Sequence, residues 1–240
     1  MKDVLNYCAA HQDEYLEQLK DFLRIPSIST SEEAKADIAK AADFVAAQLK
    51  GAGMNDVAIH PTKGHPVVYG EWLGAKGAPT VLIYGHYDVQ PPDPLDLWKT
   101  PPFEPTIRDG KIFARGSADD KGQAFIHMKV VEAFMKTRGA LPVNVKFIVE
   151  GEEEIGSTNL ADFVKKNKKM LACDVILISD THMMGVKQPS ITYGLRGLTY
   201  LELTVTAAKG DMHSGTFGGG VANPIQALAE ILMACKDAKT

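Results

Sequence analysis

An α/β fold, with a mainly parallel mixed sheet flanked by helices, is the architecture this sequence predicts. Three short apolar runs carry the expectation: Val81-Leu82-Ile83-Tyr84, Val143 to Val149 and Val175-Ile176-Leu177-Ile178. Each is nearly continuous and rich in β-branched residues, which suits strands buried on both faces of a parallel sheet. At 240 residues the chain is ample for a core, as one large domain or two modest ones.

The elements follow in order. Leu5, Cys8, Tyr15, Leu16, Leu19, Phe22 and Leu23 recur at helical spacing, so a first helix is expected to reach about Ile25 and stop at Pro26. A second begins after a Ser31 cap, carries Ala34, Ile38, Ala41, Val45 and Leu49 on one face, and ends at Gly51 or Gly53. Strands are expected at Asp56 to His60, Val67 to Trp72 and Thr80 to Tyr84. Six prolines between Gln90 and Pro105, around Trp98 and Phe103, exclude central sheet and mark a stiff loop. That loop reads equally as a wall of a site or as a surface connection. A strand at Lys111 to Ala114 then leads to a helix over Gly122 to Arg138. Asn159 to Met170 is a further helix whose Lys-rich end favours its C-terminal dipole.

The first domain is placed at residues 1–192 and a second, incomplete one of α+β type at 193–240. In the second, Leu198, Tyr200, Leu201, Leu203 and Val205 resemble a strand, Gly210 to Gly220 is a Gly-rich loop, and Pro224 to Cys235 is helical. One strand and one helix bury too little to stand alone.

Four acidic or histidine clusters sit just after an apolar run or in a Gly-bounded loop. They are Gly85-His86-Tyr87-Asp88, Ala118-Asp119-Asp120-Lys121-Gly122, Glu150-Gly151-Glu152-Glu153-Glu154 and Ser179-Asp180. In open α/β sheets ligands gather outside the carboxyl ends of the strands, so these distant residues are expected to converge. Two carboxylates about 4 Å apart repel by roughly 4 kcal/mol at an effective dielectric near 20. A site gathering Asp119, Glu153, Glu154 and Asp180, with Asp88, Asp120 and Glu152 near by, therefore calls for protonation or cations. The imidazole argues for cations, and oxygen-rich ligands without thiolate suit zinc, manganese or cobalt.

Each cluster also has a plainer reading. A lone His86 is a satisfied structural histidine, Asp119-Asp120 a helix N-cap, and the Glu run a solvated charge cluster. Against these, Asp88 shares one side of an extended chain with His86 and can hold its second ring nitrogen. Asp119 has two oxygens with which to bridge paired ions, and adjacent glutamates can divide labour between metal ligation and general base.

Bulk properties exclude other classes. The formal charge of −4 comes from 26 basic and 30 acidic residues spread along the chain, which asks for neither nucleic acid nor anionic lipid. Cys8, Cys173 and Cys235 show no paired spacing and are expected as buried small apolar residues. No stretch has the length of a membrane span and the N-terminus lacks an apolar signal region, so a cytoplasmic location is the expectation. There is no His-Glu-x-x-His, Gly-x-Ser-x-Gly or phosphate-binding Gly-x4-Gly-Lys-Ser/Thr motif.

Taken together, His86-Tyr87-Asp88-Val89-Gln90-Pro91, Ala118 to Gly122, Glu150 to Ser157 and Ser179-Asp180 closely resemble the dizinc metallopeptidases related to carnosinase, carboxypeptidase G, aminoacylase and acetylornithine deacetylase. The Pro-rich segment and Asp211-Met212-His213-Ser214-Gly215 look most like the carnosinase-type dipeptidases. The resemblance implies a zinc-exopeptidase-like sheet domain and two divalent metal ions, zinc foremost, with His86 and Asp180 on one, Glu154 on the other and Asp119 bridging. It implies Glu153 as general base on a metal-bridging water, Asp88 as the residue orienting His86, and hydrolysis of the amide bond in dipeptides or short peptides. It further implies a lid domain through which the full-length protein forms a homodimer, with His213 reaching the partner subunit's site to polarise the scissile carbonyl. An N-acyl-amino-acid deacylase using the same centre is the alternative, and a non-catalytic metal-binding or dimerisation fragment a second.

One departure bears on activity. Members of that family return from the lid to the catalytic domain, where a late histidine completes the second metal site. After Asp180 only His182 and His213 remain, and neither matches it. The sequence is expected to be the N-terminal part of a longer enzyme, holding one ion more securely than two and poorly active alone.

Overall fold

In the computed structural model, which describes residues 1–237, the apolar runs become the middle of a five-stranded sheet. Its strands are β1 (Asn55–His60), β2 (Val67–Trp72), β3 (Thr80–His86), β6 (Asn144–Glu150) and β7 (Val175–Ile178), in the order β1-β2-β6-β3-β7. β3 pairs in parallel with β6 and β7, whereas β2 pairs antiparallel with β1 and β6, so the sheet is mixed. A separate hairpin, β4 (Thr106–Arg108) with β5 (Lys111–Phe113), follows the Pro-rich loop.

Alternation along β3 and β6 feeds two cores. Ile83, Val145, Phe147 and Val149 point to one face, where they meet Phe22, Ile38, Val45, Leu49, Phe125 and Met128. Leu82 and Ile148 point to the other, against Val67, Tyr69, Phe163 and Leu171. The first face is covered by α1 (Lys2–Ala10), α2 (Gln12–Leu23), α3 (Lys35–Gly51) and α4 (Lys121–Arg138), the second by α5 (Leu160–Lys166) and the turn after it. A lysine sits within β6 because its ammonium has partners: Lys146 Nζ donates to the carbonyls of Met170 at 2.6 Å and Ala172 at 2.9 Å.

The crossovers fix where a site can form. The chain leaves β3, passes through α4 on one face to β6, then through α5 on the opposite face to β7, which lies on the other side of β3. The connections therefore diverge at the carboxyl end of β3, the place where open α/β sheets hold ligands.

Several expectations need correction. The single helix expected up to Ile25 is two, broken at His11, whose Nδ1–H competes for the Tyr7 carbonyl at 2.8 Å while its ring stacks on Tyr7. Ser31 precedes a short 3₁₀ turn rather than capping α3 directly. The helix expected to reach Met170 ends at Lys166. β7 is not buried on both faces: its four side chains are 39–59% exposed, and its outer edge has no partner strand among the described residues. Cys8 and Cys173 are only half-buried and Cys235 is exposed.

Two units partition the chain, Met1–Gln188 and a second beginning at Pro189. The second contains α6 (Ser214–Phe217) and α7 (Pro224–Ala234), the latter capped by Asn223 Oδ1 accepting from Ile225 N at 2.9 Å. The strand expected over Leu198 to Val205 does not form among the described residues, since no neighbouring strand offers it ladder hydrogen bonds. No helix among the described residues is long and apolar enough to cross a membrane.

Candidate metal centre

β3 ends on His86, which is fully buried. The approach of α4 requires glycine one residue earlier, because a Cβ on Gly85 would come within 2.8 Å of Asp120 Oδ2 and 3.1 Å of Ala124 Cβ. That Asp120 oxygen accepts from the His86 N–H at 3.1 Å, tying the helix N-terminus to the strand end. Tyr87 N donates to Glu150 O at 2.8 Å, extending the β3–β6 pairing by one residue. Ser27, from the loop after α2, clasps the same segment by donating Oγ–H to Tyr87 O at 2.6 Å and accepting from Val89 N at 2.9 Å.

Asp88 lies behind the imidazole. It is fully buried, and its Oδ1 is 3.3 Å from His86 Nδ1. The same carboxylate accepts from Glu153 N at 3.2 Å and from Glu154 N at 3.1 Å. One side chain thus orients the histidine and anchors the turn after β6.

On the other side of the ring, His86 Nε2 faces Asp119 Oδ1 at 3.2 Å, Asp180 Oδ2 at 3.6 Å and Glu153 Oε2 at 3.9 Å. Asp119 precedes Asp120 through a cis peptide, and Asp180 lies just beyond the end of β7. Asp119 is 61% exposed and Asp180 28% exposed at the side chain, so this side of the cluster opens to solvent while the imidazole is closed from behind. Glu154 stands beside the group and accepts from Gln90 Nε2 at 2.8 Å.

The rest of the Glu run is spent on the fold. Glu150 accepts from Tyr84 Oη and Ser157 Oγ, both at 2.7 Å. Glu152, expected near the site, instead accepts from the backbone of His65 and Asn159 and from the Asn159 amide. Lys121 is also structural: buried completely, its Nζ donates to Phe22 O at 3.1 Å and Ile25 O at 2.7 Å, clamping the end of α2 to the start of α4. Burial pushes that ammonium down to about 7.

Electrostatics mark the cluster as short of positive charge. Burial opposes the imidazolium of His86, but the Asp88 contact and the charges of Asp88, Asp120 and Glu153 outweigh it and raise His86 to about 10. Burial lifts Asp120 to about 7 despite the neighbouring imidazole. Glu153 and Glu154 are raised as well, first by burial and then by nearby carboxylates.

The donor set fits a divalent ion. One oxygen each from Asp119 and Asp180 and one His86 nitrogen lie within 4.8 Å of one another. Two ligands about 2.0–2.1 Å from a tetrahedral ion stand roughly 3.3 Å apart. The separations of 3.2 and 3.6 Å from His86 Nε2 bracket that spacing.

Two polar residues at the site escaped sequence reasoning. Gln90 holds Glu154, and His127 Nε2 lies 2.6 Å from Ser179 Oγ, next to Asp180. The available signal for His127 was its place seven residues after Asp120, on the same face of the helix. His213 is an exposed residue preceding α6 in the second unit.

Known proteins of one peptidase family resemble this chain. The model of the family described as Peptidase family M20/M25/M40 matches residues 82–234. The chain is 37% identical over 233 residues to the Cys-Gly metallodipeptidase of Schizosaccharomyces pombe, covering 92% of this chain and 49% of that protein. It is 38% identical over 248 residues to the human Beta-Ala-His dipeptidase, covering 97% of this chain and 48% of that protein. The solved structure of the dipeptidase Dug1p from Saccharomyces cerevisiae is similar with a TM-score of 0.80 at 31% identity, over 99% of this chain and 53% of that one. The chain spans about half the length of the curated relatives it matches.

Proposed function

The chain belongs to the M20/M25/M40 family of peptidases, and from that premise we propose that its protein hydrolyses the amide bond of dipeptides or short peptides with divalent ions, zinc foremost, bound beyond the ends of β3 and β7. The carrying observation is His86 Nε2 with one oxygen each of Asp119 and Asp180 3.2 and 3.6 Å away, and Asp88 locked behind the imidazole. The dipeptidase names of the relatives support the substrate class.

In this reading His86, Asp180, Glu154 and Asp119 would hold the ions, with His86 and Asp180 serving one, Glu154 the other and Asp119 shared. Bound ions would supply Lewis acidity to the scissile carbonyl and to water. Glu153, whose Oε2 is 3.9 Å from His86 Nε2, faces the same space and serves as general base. Burial raises its affinity for protons, the direction that favours a general base. It takes a proton from water as the oxygen attacks the carbonyl carbon. As the C–N bond breaks, both water protons reach the leaving nitrogen, giving a carboxylate and an ammonium. Asp88 holds the Nδ1–H of His86, so that its Nε2 would offer the lone pair to an ion once that nitrogen loses its proton. Homodimerisation through the second unit, with His213 polarising the carbonyl in the partner's site, completes the proposal; the resemblance of Asp211 to Gly215 to the carnosinase-type dipeptidases supports it.

The test is release of free amino acids from Cys-Gly, β-Ala-His and N-acetyl amino acids, before and after chelation and after zinc is restored. Metal-dependent cleavage of the dipeptides is expected. Cleavage only of the N-acyl compounds, or cleavage that survives chelation, overturns the reading.

A further inference from the structure

Of the residues converging on His86 Nε2, Asp180 is carried by a strand with little support. β7 is a four-residue edge strand paired only with β3 among the described residues, and the last ladder pair is Tyr84 with Ile178. Ser179 and Asp180 therefore project past the sheet. By contrast, His86 is held through its own N–H and by Asp88, and the Glu153-Glu154 turn is held through two backbone N–H groups. A ligand whose position drifts by an ångström loses its place in a tetrahedral shell, so something must define where β7 ends.

We propose that His127 is a positioning residue for the metal centre: through its Nε2, 2.6 Å from Ser179 Oγ, it fixes the end of β7 and thereby sets Asp180 Oδ2 against His86 Nε2. The inference rests on the metal-binding reading of the preceding subsection.

The geometry makes α4 a shared reference for two strand ends. Asp120, at the N-terminus of this helix, accepts from the His86 N–H; His127, two turns on and roughly 10 Å along the axis, holds Ser179. Between and around them Ala124, Phe125, Met128 and Val131 are packed in the core, so the helix backbone is fixed. One rigid element thus sets the spacing of two ligands that come from different strands. The O···N distance is at the short end of hydrogen-bonding range. Thr181 N donating to Ser179 O at 2.7 Å tightens the turn locally but does not tie it to another element.

The experiment is calorimetric titration of zinc, with the visible spectrum of bound cobalt(II) as a second readout, for the unaltered chain, His127→Ala, Ser179→Ala, the double variant and His127→Asn. Far-UV circular dichroism and thermal melting report folding. His127→Ala and Ser179→Ala should each weaken ion binding by about 10- to 100-fold, the scale for residues that orient metal ligands. Because both remove one hydrogen bond, the double variant should be no weaker than the worse single variant. His127→Asn, which keeps a side-chain hydrogen-bonding group, should recover much of the affinity and guards against an alanine variant that fails to fold. Unchanged affinity in folded His127→Ala, or losses that add in the double variant, would overturn the role of His127 alone. An unaltered chain that takes up no ion overturns it together with the metal reading, which separates the two failures.

Discussion

The Asp88 carboxylate and the His86 imidazole form a buried pair, Oδ1 to Nδ1 at 3.3 Å, in which the aspartate also accepts the backbone N–H groups of Glu153 and Glu154. The acid that orients the candidate ligand therefore also sets the turn carrying the candidate base. Coupling of this kind means that damage to one is felt by both.

Asp88→Ala should accordingly produce two losses at once. Ion affinity should fall about 10- to 100-fold, as for other residues that orient a metal-bound imidazole. Folding stability should fall too, by about 1–3 kcal/mol for each backbone N–H left without a partner. Zinc titration and urea denaturation read the two effects separately. A variant that loses affinity at full stability would show that Asp88 does not hold the Glu153 turn.

Glu153→Gln separates ligation from chemistry. The side chain keeps its shape and its neighbours but can no longer accept a proton as a carboxylate does. Turnover of a dipeptide by the protein should drop by about 10²- to 10⁴-fold, the usual contribution of a general base, with zinc affinity within a few-fold of the unaltered protein. Loss of the ion together with turnover would move Glu153 into the ligand set.

Stoichiometry follows from the donors in place. One ion can draw on His86, Asp119 and Asp180 together, whereas Glu154 is engaged with Gln90 and would share Asp119. Zinc titration of this 240-residue chain should therefore show one tight step and a second at least tenfold weaker, and His86→Ala should remove the tight one. Two equally tight steps would require a further strong ligand.

Much of this centre was legible because it sits where strands end. His86, Asp119 and Asp180 follow apolar runs or a Gly-bounded turn, and topology brings such ends together. The division of labour inside the Glu run was not legible, because Glu150 and Glu152 are claimed by Tyr84, Ser157, His65 and Asn159, partners defined only by the tertiary fold. His127 was hidden for the same reason, its partner lying 52 residues away. The exposure of β7 escaped because an apolar run reads alike whether or not anything covers it.

Alkaline conditions should destabilise the fold through its tyrosines. Tyr69 is buried, donates its hydroxyl proton to Glu71 with Met170 O 3.3 Å away, and is raised above the ordinary tyrosine range by burial first and then by Glu71. A raised folded-state pKa means that the native protein binds more protons than the unfolded chain once the pH passes about 10. The stability Tyr69 contributes is thus complete below that pH and is lost as the pH climbs towards its folded value. Tyr69→Phe should cost some stability at pH 8 yet flatten the decline between pH 10 and 11, measured by urea midpoints. An equally steep decline would remove Tyr69 from the cause.

The outer edge of β7 should promote aggregation of this chain, separately from a dimer formed through the second unit. Val175 to Ile178 present a row of backbone groups with no described partner, and Ile176 and Ile178 are 59% and 53% exposed. An apolar strand with a free edge templates pairing with another copy, and natural sheets blunt such edges with lysine. Ile176 is the most exposed of the four, and its ladder partner is Leu82 on β3, so a substitution there alters the open side without removing the pairing that holds β7. Ile176→Lys should leave stability within about 0.5 kcal/mol, as for most exposed positions. It should also lower concentration-dependent light scattering several-fold, with less thioflavin-positive material on prolonged incubation. Scattering that is unchanged by Ile176→Lys, and by Ile178→Lys tested in parallel, would place self-association on some other surface.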